Sequence, residues 1–241
     1  MSPILTCRGI YAIIVWINKE SRDTMKKLLI FDLDGTLADT LPSITHAINL
    51  AEEKLGYPQH SCDKVRCAIG NGARYLVRQL MPENESQDEK KIDLFLKTYE
   101  EMYDSVYMEA NKCYDGMSEA IKELHSRGYG IAVLSNKQDS YVKPMAAQLI
   151  PANILAYAAG QRKEYPKKPD PTVPLMIANE LGCDPENTAF IGDSDVDIIT
   201  GKNAGMFTVG CDWGYRGRAE LESVGADRVI SHPTELTEIF K

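Results

Sequence analysis

The sequence lacks what a membrane, a zinc ion or a nucleic acid would require. Its apolar stretch at residues 9–17 (GIYAIIVWI) is far short of the roughly 20 residues that cross a bilayer as a helix. The six cysteines, Cys7, Cys62, Cys67, Cys113, Cys183 and Cys211, are scattered without a CxxC pair, and no histidine stands at a zinc spacing from them. Reduced, mostly structural thiols in a cytoplasmic protein are the expectation. Basic residues are in deficit: 27 Lys and Arg against 35 Asp and Glu leave a formal net charge of −8. This argues against a nucleic-acid or anionic-membrane partner, because both need a basic surface. It does not bar an anionic substrate, since a few local cations and a metal reverse the field inside a cleft. Internal repeats and low-complexity tracts are missing as well.

What is present is ordinary globular composition, 44% apolar and 26% charged, in a chain long enough for one domain or one domain carrying an insertion. Arg8 ahead of the apolar stretch gives it the look of a signal-peptide core. However, Asn18-Lys19-Glu20-Ser21-Arg22-Asp23 follows, where small residues for cleavage belong, and Met25 then opens MKKLLIFDLDGTL, a natural protein start. Residues 1–24 read as an upstream extension, not necessarily native, rather than an export signal.

Leu28-Leu29-Ile30-Phe31 is a short, continuous apolar run ending in Asp-Gly turn chemistry, the pattern of a buried parallel strand. Residues 131–134, 188–191 and 206–209 repeat it, and helical patterns at 117–127, 171–181 and 196–204 fall between. Strands alternating with helices of this length predict a doubly wound α/β sheet. Residues 41–113 break the alternation. Ile44, Ala47, Ile48, Ala51 and Leu55 recur at helical spacing with Gly56 as the stop. A second long helical pattern spans 86–109, with Ile92, Phe95, Leu96, Tyr99 and Met102 on one stripe. Both stripes read as core packing, within an all-helical insertion after the first strand.

Ligands of open α/β sheets bind outside the carboxyl ends of the strands, and here the apolar runs end in polar clusters: Asp32-Leu33-Asp34-Gly35-Thr36, Ser135-Asn136, and Gly192-Asp193-Ser194-Asp195-Val196-Asp197. A connecting loop adds Lys167-Lys168-Pro169. If the clusters converge, Asp32, Asp34, Asp193 and Asp197 come close together. Two like charges about 4 Å apart repel by about 4 kcal/mol at an effective dielectric near 20, so the group needs protons or a cation. An all-oxygen site suits a hard ion such as Mg²⁺. Phosphoryl transfer needs a nucleophile, a proton donor for the leaving oxygen and cations on the phosphate. Asp32 can attack, Asp34 can protonate, Lys168 with the metal can neutralise, and Ser135 and Asn136 can donate hydrogen bonds.

DLDGT at residues 32–36, SN at 135–136, KP at 168–169 and GDSDVD at 192–197 resemble the four motifs of the haloacid dehalogenase-like superfamily, in order, with nothing expected of them missing. The resemblance runs from about Met25 to the C-terminus. It implies a Rossmann-like catalytic core at 25–40 and 114–241 with a helical cap of the first type at 41–113. It further implies Asp32 as nucleophile and metal ligand, and Asp34 as general acid/base whose backbone carbonyl also binds metal. Ser135 and Asn136 become phosphate contacts, Lys168 the lysine that stabilises a phosphorylated aspartate, Asp193 a direct Mg²⁺ ligand, and Asp197 a direct or water-mediated one. An acid at position 34 separates the chain from dehalogenases and phosphonate hydrolases, which lack one there.

Within the insertion, Ala68-Ile69-Gly70-Asn71-Gly72-Ala73-Arg74 and the Leu76-Val77-Arg78 that follows resemble a segment of phosphoglycolate phosphatases. That implies substrate contacts at Gly70, Asn71, Gly72 and Arg74, with Arg74 or Arg78 pairing a substrate carboxylate. The expected activity is Mg²⁺-dependent hydrolysis of a small phosphorylated metabolite through a phospho-aspartate, 2-phosphoglycolate the leading candidate, by a monomer or homodimer. A β-phosphoglucomutase-like phosphosugar mutase, a pyrophosphatase or nucleotidase, and a non-catalytic binding protein of the same fold are the alternatives.

Overall fold

In the computed structural model, which describes residues 27–109 and 111–241, six strands form one parallel sheet in the order β3-β2-β1-β4-β5-β6. They are β1 (Lys27–Phe31), β2 (Tyr129–Gln138), β3 (Leu155–Gln161), β4 (Thr188–Gly192), β5 (Phe207–Cys211) and β6 (Arg228–Ile230). Residues 1–24, read above as an extension, lie outside the described residues. The expected strand at 206–209 is β5, displaced by one residue at its start and extended to Cys211. Two strands escaped the sequence reading. In β3, Leu155-Ala156-Tyr157-Ala158-Ala159 is rich in alanine, a poor strand former, and β6 is only three residues long.

The continuous apolar character of β1 has a simple cause: both faces of the sheet are covered. Leu29 and Phe31 join one core cluster, while Leu28 and Ile30, one residue out of phase, join the cluster on the opposite face with Ile177 and Phe190. Strand alternation thus serves two cores at once. Position in the sheet matters more for function. β1 pairs with β2 on one side and β4 on the other, so the residues leaving β1 lie between those leaving its neighbours.

Between β1 and β2 the chain forms α1 (Leu41–Leu55), α2 (Cys62–Ala68), α3 (Ala73–Leu80) and α4 (Glu89–Val106). Gly56 ends α1 in the left-handed region at φ +74°, its N–H returning to Glu52 and Glu53 carbonyls, as its place after the apolar stripe predicted. α1 and α4 pack together, burying Ile44, Ala47, Ile48 and Ala51 against the face that carries Ile92, Phe95, Tyr99 and Tyr103. No helix among the described residues is long and apolar enough to cross a membrane.

Candidate active site

Asp32 follows the last residue of β1, and its N–H donates to Ile191 O of β4 at 2.8 Å. The strand pairing is thereby carried one residue into the loop, which fixes where the Asp32 side chain starts. Asp193 follows the end of β4, and Asp197 lies in the first turn of α5 (Asp195–Asn203), as the helix after β4 is labelled here. One carboxylate oxygen from each of Asp32, Asp193 and Asp197 comes within 4.8 Å of the others, and all three residues are buried. Like charges at that separation repel by about 3 to 4 kcal/mol per pair at an effective dielectric near 20.

Several contacts hold this cluster in place. Lys168 is buried among the acids, its Nζ 2.7 Å from Asp197 Oδ1, 2.8 Å from Asp32 Oδ1 and 3.3 Å from Leu134 O. Asp197 Oδ2 accepts from Ser194 N at 3.1 Å and Ser194 Oγ at 2.6 Å, so the carboxylate caps the helix start that carries it. Asp193 accepts from Thr36 Oγ1 at 3.1 Å and from Tyr215 N at 2.7 Å. Gly35 makes this closeness feasible. Its φ is +83°, and a Cβ there would stand 2.4 Å from Asp193 Oδ2, so both backbone conformation and space demand glycine.

The electrostatics record a shortage of positive charge. Burial, opposed by Lys168 and reinforced by Asp197, pushes the Asp32 carboxyl up to about 6. Burial together with Asp197 and Asp32 raises Asp193 well above the carboxylate range. For Lys168, burial works against the charge, but Asp197 and Asp32 outweigh it and raise the group. With all three buried acids ionised, the one buried lysine would leave two negative charges without a counter-ion, and the ion pair to Asp32 Oδ1 leaves that atom without an aligned hydrogen bond. A hard divalent cation fits this donor set in charge and in ligand type.

Asp34 faces different partners. Its Oδ1 accepts from Thr40 Oγ1 at 2.6 Å, and Lys137 Nζ reaches Oδ1 at 2.9 Å and Oδ2 at 3.1 Å. Tyr215 OH extends the chain, 2.9 Å from Thr40 Oγ1. Lys137 is the third of four consecutive polar residues at the end of β2, a strand that runs on past Ser135 and Asn136 to Gln138. The sequence reading stopped at the Ser-Asn pair and missed it. The signal was there: Lys137 is two residues beyond Ser135, hence on the same side of the strand.

Two sets of expected substrate contacts have other partners in the structure. Asn136 was expected to contact phosphate, but its side-chain amide is engaged elsewhere: Nδ2 donates to Gly70 O at 3.0 Å and Lys168 O at 3.1 Å, and Oδ1 accepts from Lys168 N at 2.8 Å. It ties the lysine loop to the helical insertion. Arg74 and Arg78 were expected to face a substrate carboxylate. Arg74 instead pairs with Asp93 Oδ1 at 2.6 Å and with Glu89, and Arg78 pairs with Glu89 at 2.5 Å. Leu76, Val77 and Leu80 occupy the buried face of α3, which puts both arginines on the outer face, within reach of the acids of α4.

The cleft above the acidic cluster contains about 60 Å³ of water-accessible space. Asp32, Asp34, Ser135 and Lys168 line it from the sheet side, and Gly70, Gly72, Leu76, Tyr99 and Tyr103 from the insertion. Asn71 is not among the lining residues; its carbonyl accepts from Lys167 Nζ at 2.8 Å. Arg216, from the loop after β5, donates to Arg66 O at 3.1 Å and Ile69 O at 2.8 Å. Asn136, Lys167 and Arg216 therefore bind the carbonyls at the end of α2 and just beyond, and draw the insertion over the sheet rim.

Residues 29–211 match the model of the haloacid dehalogenase-like hydrolase family. The chain belongs to that family. It is 30% identical over 214 residues to a phosphoglycolate phosphatase of Pseudomonas putida, covering 86% of this chain and 77% of that one. With a phosphoglycolate phosphatase of Psychrobacter arcticus it shares 31% identity over 220 residues, 89% and 93% of the two chains. Among solved structures, a protein described as a predicted phosphoglycolate phosphatase from Haemophilus somnus superimposes with a TM-score of 0.80 at 27% identity, over 90% of this chain and 99% of that one.

Proposed function

We propose that this hydrolase is a phosphatase of small phosphate monoesters, with Mg²⁺ as its cofactor and 2-phosphoglycolate as the leading substrate. The observation that carries this reading is the buried Asp32–Asp193–Asp197 cluster with Lys168 inserted into it at the carboxyl ends of β1 and β4. The names of the relatives from Pseudomonas putida and Psychrobacter arcticus support the substrate.

Asp32, Asp193, Asp197 and the Asp34 backbone carbonyl would hold Mg²⁺, which would supply positive charge beside the phosphate oxygens. Asp32 attacks phosphorus, and the bond from phosphorus to the leaving oxygen breaks as Asp34 gives that oxygen a proton. A water then attacks the phospho-aspartate, Asp34 takes the water's proton, and the bond to Asp32 breaks to release inorganic phosphate. Ser135 donates to a phosphate oxygen. Lys168, already beside Asp32 Oδ1, offsets the negative charge that accumulates there. Asn136 acts one step back, by holding the Lys168 backbone. Residues 41–113 serve as the cap that shields the phospho-aspartate from solvent, on a core formed by 25–40 and 114–241. The protein works in the cytoplasm.

A screen of phosphorylated metabolites ranked by kcat/KM, with released phosphate as readout, tests the reading. Top rank for 2-phosphoglycolate supports it. Isomerisation of a sugar phosphate without net phosphate release identifies a mutase instead.

A further inference from the structure

Three cations line the cleft, Lys137, Lys168 and Arg216, and they are not equally free. Lys168 directs its ammonium at Asp32, Asp197 and the Leu134 carbonyl, which accounts for its three N–H groups. The Arg216 guanidinium binds the carbonyls of Arg66, Cys67 and Ile69, and Glu220 stands 3.4 Å away. Lys137 differs. Among the described residues its ammonium has one hydrogen-bonding partner, the carboxylate of Asp34. The ring of Tyr103 packs beneath it with the centroid 4.7 Å from Nζ, and its side chain is only 9% exposed. One N–H group remains for the cleft.

Position completes the case. Lys137 follows Ser135 by two residues on β2, and its own N–H points back to Ser135 Oγ at 3.4 Å. Two residues advance a strand by about 6.6 Å, so Lys137 leaves β2 beyond the Ser135 side chain that the phosphatase reading assigns to phosphate. The surface beyond is formed by Ile69, Leu76, Tyr99 and Tyr103, which brings no second cation. Glu100 also lines this end, held by a hydrogen bond from Gln138 Nε2.

We propose that Lys137 is a specificity-determining residue that reads an anionic group, a carboxylate, one or two carbons from the substrate's phosphate. This rests on the phosphatase reading of the same cleft. Asp34 is the ammonium's partner in the structure. When a carboxylated ester binds, the ammonium bridges to the substrate carboxylate and loosens its hold on Asp34, which lies next to the leaving oxygen. The role expected of Arg74 from the sequence thus falls to a residue on the sheet.

Three two-carbon phosphate monoesters of similar size provide the test: 2-phosphoglycolate, 2-hydroxyethyl phosphate and phosphoethanolamine, whose second groups are anionic, neutral and cationic. For the unmutated enzyme kcat/KM should fall in that order. Lys137→Met should lower the ratio of the anionic to the neutral ester by about 10- to 150-fold, the equivalent of one charge-assisted hydrogen bond, and Lys137→Arg should keep most of it. If Lys137→Met does not fold, Lys137→Gln carries the same comparison. An unchanged ratio in the folded variant, or a preference of the unmutated enzyme for the neutral or cationic ester, overturns the assignment while phosphatase activity stands. Failure of the unmutated enzyme to release phosphate from any of the three, or from p-nitrophenyl phosphate, with Mg²⁺ present removes the phosphatase reading and this inference with it.

Discussion

The two walls of the cleft are built on different principles. On the sheet side, the charged groups are buried and bonded to one another: Lys168 joins Asp32 to Asp197, and Thr36 and Tyr215 hold Asp193. On the insertion side, Arg74 of α3 pairs at the surface with Glu89 and Asp93 of α4, and the side chains presented to the cleft are mostly apolar and aromatic, with Glu100 the charged exception. The first wall gathers like charges that a divalent cation can offset. The second supplies shape, exclusion of water and the bonds that draw it closed. On the proposed mechanism chemistry rests on a few residues of the sheet rim, and the outer face of the insertion is expected to tolerate change.

The largest effect expected from breaking this contrast is at Asp32. Asp32→Asn should lower kcat on the order of 10⁶-fold, the scale seen when a nucleophile is removed, while its melting temperature without metal holds or rises because one buried like charge is gone. Steady-state turnover by the purified variant above contaminant level would falsify Asp32 as the attacking group.

Metal removal comes next. Chelation should reduce hydrolysis to background and Mg²⁺ should restore it. The melting temperature should rise with added Mg²⁺, since a ligand at a hundred times its dissociation constant stabilises by about 2.7 kcal/mol. Full activity after exhaustive chelation, verified by metal analysis, defeats the cation assignment.

Gly35→Ala is a smaller break on the same wall. A Cβ 2.4 Å from Asp193 Oδ2 on backbone at φ +83° should cost about 1–3 kcal/mol of stability and displace Asp193, so activity should fall and require more Mg²⁺. Thermal melting and Mg²⁺ titration of the rate are the checks; a variant with unaltered metal requirement contradicts the close approach.

The smallest effect belongs to the insertion. Arg74→Ala removes ion pairs whose arginine is 45% exposed, and such pairs contribute about 0–1 kcal/mol. Stability should change by less than about 1 kcal/mol, and the preference for 2-phosphoglycolate over a neutral ester should stay within threefold. A selective loss on the carboxylated ester would return the reading role to Arg74 and dissolve the contrast between the walls.

The difference between these regions also explains what could be read without coordinates. Asp32, Asp193 and Lys168 were legible because each stands next to a strand end or a distinctive turn, and a parallel sheet carries its strand ends to one rim. The helix at residues 41–55 was legible from its stripe and from Gly56. Lys137 was missed because a lysine after Ser-Asn looks like any solvated lysine until the strand is seen to continue through it. Arg74 was misdirected for the complementary reason: periodicity tells which residues share a helix face, but not which face a neighbouring helix covers. In α3 the outcome was set by α4, whose Glu89 and Asp93 stand across from the arginines.

By itself, the sequence determined the α/β architecture, the position of the helical insertion and the acids that gather at the rim, because apolar periodicity and strand-end chemistry are local in the chain. Tertiary structure decided which charges meet. It placed Lys168 between acids at positions 32 and 197, engaged the Asn136 amide with the backbone of Gly70 and Lys168, and set Lys137 against Asp34. Those pairings depend on distances between segments far apart in sequence. A buried charge takes the partner that the packing of the whole molecule brings within about 3 Å.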